Sequence, residues 1–222
     1  VDSGGGDSPG GAEARWSTDN PGNRAIHGDR SSRLVAAARR AGAWPVPGTR
    51  PLLDLGCGGG EGQRDLVGAG LRAVLRVGLD RSGRRLGQAR LRSPGLRPVR
   101  GDGVALPFAT GAFDAVSAFT VFSSIPAARR AEVAAEVGRV LAPGGVVLWY
   151  DMRLPSPGNA DTNPVPRKEV AALFPGFAAD LERATVLPPL VRRLGPLTST
   201  VYPMLAHVPG LSTHLVGVLR RP

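Results

Sequence analysis

The chain has 222 residues, 42% of them hydrophobic, which suits one α/β domain and leaves a second full domain cramped. Its net charge is +10, but Lys168 is the only lysine and the arginines are scattered in short pairs such as Arg84-Arg85 and Arg192-Arg193, which argues for compositional drift over a phosphate-binding stripe. No run of about 18 apolar residues and no basic-then-apolar leader is present, and Cys57 is the lone cysteine, so the expectation is a cytoplasmic chain without membrane span, secretory signal or internal disulfide.

Residues 1–14, rich in Gly, Ser and Asp, read as a flexible tail, with residues 15–222 as one domain. A helix is expected from Ser31, capped by Ser31 or Ser32, with Leu34, Val35, Ala38 and Ala41 as its apolar stripe and Gly42 at its end. Strands and helices then alternate. Pro51 to Gly56 reads as a buried strand, followed by a glycine turn and a helix over 61–68. A second strand, Ala73 to Asp80, precedes a helix over 82–92. A third strand runs from Pro98 to Asp102 and a fourth from Phe113 to Phe122. A helix over 127–141 carries Val133, Val137, Val140 and Leu141 on one face and is stopped by Pro143-Gly144-Gly145. Val146 to Asp151 is the fifth strand. A helix over 167–173, a strand over 180–187, helical pieces over 189–194 and 198–206, and a last strand from Thr213 to Leu219 complete the chain. Such alternation implies a parallel sheet with helices on both faces.

The sharpest local feature is Leu52-Leu53-Asp54-Leu55-Gly56-Cys57-Gly58-Gly59-Gly60, an apolar strand ending in closely spaced glycines before a helix. A chain without Cβ atoms there lets a ligand lie against the backbone. The helix start offers free N–H groups at a positive dipole end. Asp80 lies twenty residues beyond Gly60, at the end of the second strand, where an acid can accept from both hydroxyls of a ribose. The spacing is not that of a dinucleotide loop: the third glycine position falls on Glu61 or Gln63, and Glu61 would repel a pyrophosphate.

These residues resemble the first motif of the class I S-adenosylmethionine-dependent methyltransferases, in which Asp54-x-Gly56-x-Gly58-x-Gly60 and the acid Asp80 have counterparts. Gly101-Asp102-Gly103, Leu106-Pro107-Phe108 and Phe113-Asp114-Ala115-Val116 are similar to that family's third- and fourth-strand signatures. Arg139-Val140-Leu141-Ala142-Pro143-Gly144-Gly145 is similar to its turn before strand five. The likeness covers about residues 31–151, in order, and is to the broad group that includes small-molecule and glycan-pathway enzymes. It implies a Rossmann-like methyltransferase fold, α/β, with a seven-stranded, mostly parallel sheet whose last strand is antiparallel. It also implies S-adenosylmethionine as cofactor. On that reading Gly56, Gly58 and Gly60 admit the methionine portion and Asp54 holds its ammonium group through water. Asp80 binds the ribose, Arg81 lies beside the adenine, Asp102 accepts from the adenine amino group, Gly103 donates from its backbone, and Phe119 lines the sulfonium. Cys57 is read as a small buried residue.

A hydroxyl acceptor benefits from a base at the carboxyl edge of the sheet. Asp151, at the end of strand five, and His214, at the start of a reversed last strand, are the candidate catalytic residues, with Asp151 preferred. His207 and His27 are secondary candidates. Arg153, Arg167, Arg192 and Arg193 would suit an anionic group on the acceptor if they cluster. Residues 187–211 and the region before 31 are expected to cover the pocket. No acid or histidine cluster has metal-site spacing. The expected function is methyl transfer to a small-molecule acceptor at a hydroxyl oxygen, on a natural product or sugar-containing metabolite, with no nucleic-acid or membrane partner. An RNA methyltransferase and a non-catalytic cofactor-binding protein remain the alternatives.

Overall fold

The computed structural model describes residues 17–44, 50–155, 163–208 and 210–222; the expected tail at 1–14 lies outside the described residues. In chain order the regular elements are α1 (Pro21–Arg40), β1 (Leu52–Leu55), α2 (Glu61–Gly68), β2 (Arg76–Asp80), α3 (Gly83–Arg92), β3 (Leu96–Arg100) and β4 (Phe113–Phe119). Then come α4 (Arg130–Val140), β5 (Leu141–Met152), α5 (Arg167–Leu173), β6 (Ala178–Val186), α6 (Pro188–Arg193), α7 (Thr198–Leu205) and β7 (Ser212–Arg220). The seven strands form one sheet in the order β3-β2-β1-β4-β5-β7-β6. Strands β3, β2, β1, β4 and β5 are parallel, and β7 is antiparallel to β5. This is the α/β fold expected, with its reversed last strand. Leu52-Leu53-Asp54-Leu55 is buried throughout, as a central parallel strand covered on both faces must be.

The elements differ from expectation where turn chemistry outweighs periodicity. Helix α1 begins at Pro21, ten residues before the expected start. The Gly22 N–H donates to Asn20 Oδ1 at 2.8 Å, and Pro21 takes the first helical position, where its missing N–H is harmless. Ser31 and Ser32 are therefore interior. Strand β3 lies two residues early, which leaves Asp102 in the turn beyond it. Strand β4 stops at Phe119 because Thr120 takes a left-handed φ of 55° and a tight turn follows at Phe122–Ser124. Helix α4 ends at Val140 without help from Pro143-Gly144-Gly145. That tripeptide lies inside β5, where the pairing jumps from Phe113 opposite Leu141 to Ala115 opposite Val146.

The described chain packs as two units. The larger comprises Arg30–Ala184 and Thr213–Pro222. One apolar layer of it joins Leu53, Leu55, Val116 and Trp149 to Val133 and Val137 of α4. The other joins Leu52, Ala115, Leu148 and Val216 to Leu34, Ala37 and Ala38 of α1. Strands β6 and β7 approach so closely that a Cβ at Gly217 would lie 1.9 Å from the Asp180 carbonyl oxygen. The smaller unit holds 17–29 and Thr185–Ser212. It has its own core of Ile26, Val186, Val191 and Tyr202. Asp29 Oδ2 ties it together, accepting from the Tyr202 hydroxyl at 2.9 Å and the Thr185 N–H at 3.2 Å.

Candidate active site

The three glycines after β1 have different tasks. Gly56, Gly58 and Gly60 all take left-handed φ values, of 62°, 52° and 86°. A Cβ on Gly56 would strike Val121 at 2.9 Å, and one on Gly60 would strike Ser93 at 2.9 Å. These two serve the packing of the protein itself. A Cβ on Gly58 would stand in nearly open space, its nearest neighbour the Arg85 guanidinium at 4.0 Å. Gly58 is thus the glycine whose bareness leaves room for something else.

Asp80 ends β2 beside this turn. Its Oδ2 accepts from the Gly58 N–H at 3.0 Å and its Oδ1 from the Ser82 N–H at 2.8 Å. Each carboxylate oxygen retains a lone pair for a further donor. Asp102 lies in the turn after β3, half-exposed, with Oδ1 accepting from the Val104 N–H at 3.3 Å. Its Oδ2 is 3.8 Å from Arg81 Nε and 3.8 Å from Arg129 Nη1. Arg81 is thus beside Asp102, and Gly103 follows in the same turn.

On β1, Asp54 is buried and pairs across to Ser117 of β4. The Ser117 hydroxyl donates to Asp54 Oδ1 at 2.8 Å, and Gln63 Nε2 donates to the same hydroxyl oxygen at 3.1 Å. Burial raises Asp54 to about 7, against the lowering effects of Ser117, Arg30 and Gln63. Gln63 Oε1 is buried without a partner. Phe119 closes β4 at the same edge, edge-on to Tyr150 at 6.3 Å. Gly62 allows this, since a Cβ there would lie 2.8 Å from the Phe119 ring. Burial, with the Asp54 and Asp80 charges, pushes the Cys57 thiol far above its ordinary range, so it supplies no thiolate.

Asp151, expected as a base open to the crevice, is fully buried and bonded on both oxygens. Oδ2 accepts from the N–H groups of Phe122 at 2.8 Å and Ser123 at 3.2 Å, and Oδ1 accepts from Met152 N–H at 2.8 Å. Burial raises it to about 6, opposed by these hydrogen bonds. His214 opposes Met152 across β5 and β7. Its ring stacks on Tyr150 at 4.6 Å, and its Nδ1 is 2.8 Å from the Thr213 hydroxyl. Burial, with the nearby Arg30 charge, lowers it to about 3, so it is neutral at physiological pH. In the smaller unit His207 is exposed, its Nδ1–H donating to the Pro203 carbonyl at 2.7 Å, and His27 is half-buried on α1. The four arginines divide between the units. Arg153 and Arg167 are in the larger, where Arg167 donates to the Leu181 carbonyl. Arg192 and Arg193 are in the smaller, where Arg192 donates to Asn23 Oδ1 at 2.9 Å.

From β3 to β7, then, the carboxyl edge presents Asp102, Asp80, the glycine turn with Asp54, Phe119, Asp151 and His214. Residues 53–149 match the family model described as a methyltransferase domain. That stretch, 97 of the 222 residues, carries a methyltransferase domain of the S-adenosylmethionine-dependent kind. It is 36% identical over 110 residues to an uncharacterized methyltransferase of Synechocystis, covering 50% of each chain. It is 36% identical over 134 residues to a phthiotriol/phenolphthiotriol dimycocerosates methyltransferase of Mycobacterium tuberculosis, covering 60% of this chain and 44% of that one. The chain therefore spans half or less of the length of these relatives. A crystal structure of an S-adenosylmethionine-dependent methyltransferase from Mesorhizobium loti superposes with a TM-score of 0.59 at 21% identity, over 83% of this chain and 98% of that one, and shares the fold.

The residues present fit the family's methyl donor. The open space at Gly58 admits a ligand, and the unpartnered Gln63 Oε1 beside Asp54 is an acceptor suited to a cation. Gly58→Val should abolish donor binding at a stability cost limited to left-handed strain, about 1–3 kcal/mol, whereas Gly60→Val adds to the same strain a clash with Ser93 and should destabilise the protein further. Calorimetric titration and thermal melting separate the two, and a Gly58→Val protein that binds normally would contradict the cradle.

The Asp54 shift predicts a pH dependence. The ammonium end of the donor needs a carboxylate, but below about 7 the buried Asp54 holds a proton. Affinity should fall by up to about tenfold per unit as pH drops below that value, with proton release on binding. The ligand-free protein should lose stability as pH rises from the ordinary carboxylate value of 3.8 toward about 7. Over that window the unfolded chain ionises Asp54 and the folded chain does not. Asp54→Asn should flatten both profiles, and an unchanged pH profile of binding would remove Asp54 from the ammonium site.

Proposed function

We propose that the chain transfers the methyl of S-adenosylmethionine to an apolar small-molecule acceptor, at a hydroxyl oxygen. The observation that carries this reading is the continuous carboxyl edge, where the donor-binding residues Asp102, Asp80, Gly58 and Asp54 lead directly to Phe119 and His214. Support for a small acceptor comes from the charges. Many of the described arginines are spent on ion pairs with acids of the chain, among them Arg30–Asp65, Arg40–Asp180, Arg130–Glu169 and Arg139–Glu136, and not left free for phosphates. Support for an apolar one comes from the mycobacterial relative, named for phthiotriol/phenolphthiotriol dimycocerosates. Among the described residues no helix is long and apolar enough to cross a membrane.

The bound donor supplies an activated methyl on a positively charged sulfur. The protein's share is binding and alignment. Asp80, which fixes the glycine turn, would orient the ribose, Asp54 and Gln63 would hold the ammonium, and Phe119 would line the sulfonium. In place of the general-base roles expected from sequence, we assign positioning roles to Asp151 and His214. The first is occupied by three backbone donors, and the second is too weak a base near neutrality. The acceptor hydroxyl then gives its proton to water.

Two measurements test this. Methyl transfer, followed by mass spectrometry, should occur to hydroxylated apolar compounds and not to a structured RNA; transfer to RNA alone would overturn the reading. Asp151→Asn should lower the melting temperature and cut turnover by less than about tenfold. A loss of about 10²–10⁴-fold with an unchanged melting temperature would restore Asp151 as the base.

A further inference from the structure

The arginines outside those ion pairs are not spread evenly along the chain. Residues 72–100 hold nine arginines and one acid, Asp80. The other 193 residues hold nineteen basic and seventeen acidic side chains, so nearly all of the net charge of +10 comes from this one stretch. In the fold the stretch is a single corner of the larger unit, made of β2, α3 and β3, with β3 at the edge of the sheet. Drift in composition would distribute such charge, whereas here it is gathered.

Eight of the nine arginines are exposed; the ninth, Arg76, is half-buried and donates to the Pro94 carbonyl at 2.7 Å. Arg92 lies 3.3 Å from Glu61, and Arg81 lies 3.8 Å from Asp102. Among the described residues, Arg72, Arg84, Arg85, Arg90 and Arg97 form no ion pair. Asp80 does not neutralise them, since both its oxygens already accept from backbone N–H groups. Apolar surface lies among these charges. On α3, Leu86 and Ala89 are buried against the sheet. Two helical turns separate Arg84 from Leu91, which puts both on the outward line of the helix. Leu91 is 83% exposed, and Val74, just before β2, is 73% exposed. They are the two most exposed large apolar residues among those described.

We propose that this corner docks the protein on an anionic lipid surface, with its arginines on headgroup phosphates and Leu91 entering among the acyl chains. A guanidinium fork matches a phosphate, and an apolar side chain set among cations suits a lipid interface better than water. Two other occupants fit less well. Residues 72–100 contain no Phe, Trp or Tyr to stack on the bases of a single-stranded nucleic acid. A second copy adding to the sheet edge would find no N–H at Pro98, and Arg97 and Arg100 of the two copies would repel. The dock reaches the carboxyl edge, because Arg81 follows Asp80 and the Arg100 Nε donates to the Arg81 carbonyl at 3.1 Å. Docking thus keeps that edge beside a reservoir of lipid-dissolved molecules. The binding itself needs no turnover and stands apart from the acceptor reading.

The test is co-sedimentation with vesicles of phosphatidylcholine alone and of phosphatidylcholine mixed equally with phosphatidylglycerol. The unaltered protein should bind the mixed vesicles at least about tenfold more tightly. Raising the salt from about 0.1 M to about 1 M shortens the screening length from about 10 Å to about 3 Å and should remove most of that preference. Arg84→Gln, Arg90→Gln and Arg97→Gln together should weaken binding by about 100-fold, or about fivefold for each made singly. Leu91→Ser should weaken it by about threefold or more. Arg39→Gln, Arg183→Gln and Arg193→Gln together remove as much charge from exposed positions elsewhere and should change it by less than about twofold. None of these residues belongs to the donor site, and the single variants carry the test if the triple one melts at a lower temperature. Equal binding to the two kinds of vesicle overturns the proposal. So does an equal loss in the two triple variants, which would mark attraction by net charge without a dock. Tighter binding to a structured RNA than to the mixed vesicles, unaffected by Leu91→Ser, overturns it in favour of a nucleic-acid face.

Discussion

The hydrogen bond from the Gly58 N–H to Asp80 Oδ2 is the constraint around which this edge is built. It joins the turn after β1 to the end of β2, so the backbone that leaves the sheet cannot drift from the acid that would meet a ribose. Three left-handed residues within five positions are needed to make that turn. Their conformational cost in the unfolded chain is high, because glycine loses the most freedom on folding. The cost is tolerated because the turn is pinned at both ends. The Cys57 N–H donates to the Leu79 carbonyl at 3.0 Å, and the Arg64 N–H donates to that of Gly60 at 3.1 Å as α2 begins. A ligand lying on Gly58 therefore meets a preformed surface.

The central elements were legible because they are both periodic and buried. Strand β1, helix α2 and the valine face of α4 match their expected positions, since sheet burial and helical amphipathicity leave direct marks in a sequence. The start of α1 was not read, although Asn20-Pro21 is a capping signal; the serines at 31 and 32 resembled a cap and drew the boundary inward. That displacement also hid Arg30. Arg30 falls just outside the expected helix and looks like a loop arginine, when it is a residue of α1 aimed at two aromatic rings. Nothing local marks it, because its partners Asp65, Phe119 and Tyr150 come from three other elements.

Asp151 and His214 illustrate a second limit. Position at a strand end was enough to place them at the carboxyl edge of the sheet, where they lie. It could not tell whether their polar atoms face a ligand or the protein. Asp151 is consumed by the turn it follows in space, and His214 is stacked and dry. Burial moves Asp54, Asp151 and His214 all toward their neutral forms. A sheet edge of this kind supplies little free charge of its own, which suits a reaction whose reagent is already cationic.

What remains is why the protein buries a carboxylate at Asp151 at all. Thr120 stands in a left-handed conformation, which is strained for a β-branched residue and costs on the order of 1–3 kcal/mol. It is held there from both sides. Its N–H donates to the Tyr150 carbonyl at 2.7 Å and its hydroxyl to the Phe119 carbonyl at 2.7 Å. Immediately beyond, the N–H groups of Phe122 and Ser123 would be left unsatisfied by so abrupt a turn, and the Asp151 carboxylate accepts both. Arg130 completes the clamp, donating to the Phe122 carbonyl at 2.8 Å and pairing with Glu169 at 2.6 Å. The strained turn is what stops β4 at Phe119 and swings that ring over Gly62. Asp151 thus holds in place the backbone that sets the Phe119 ring against Gly62.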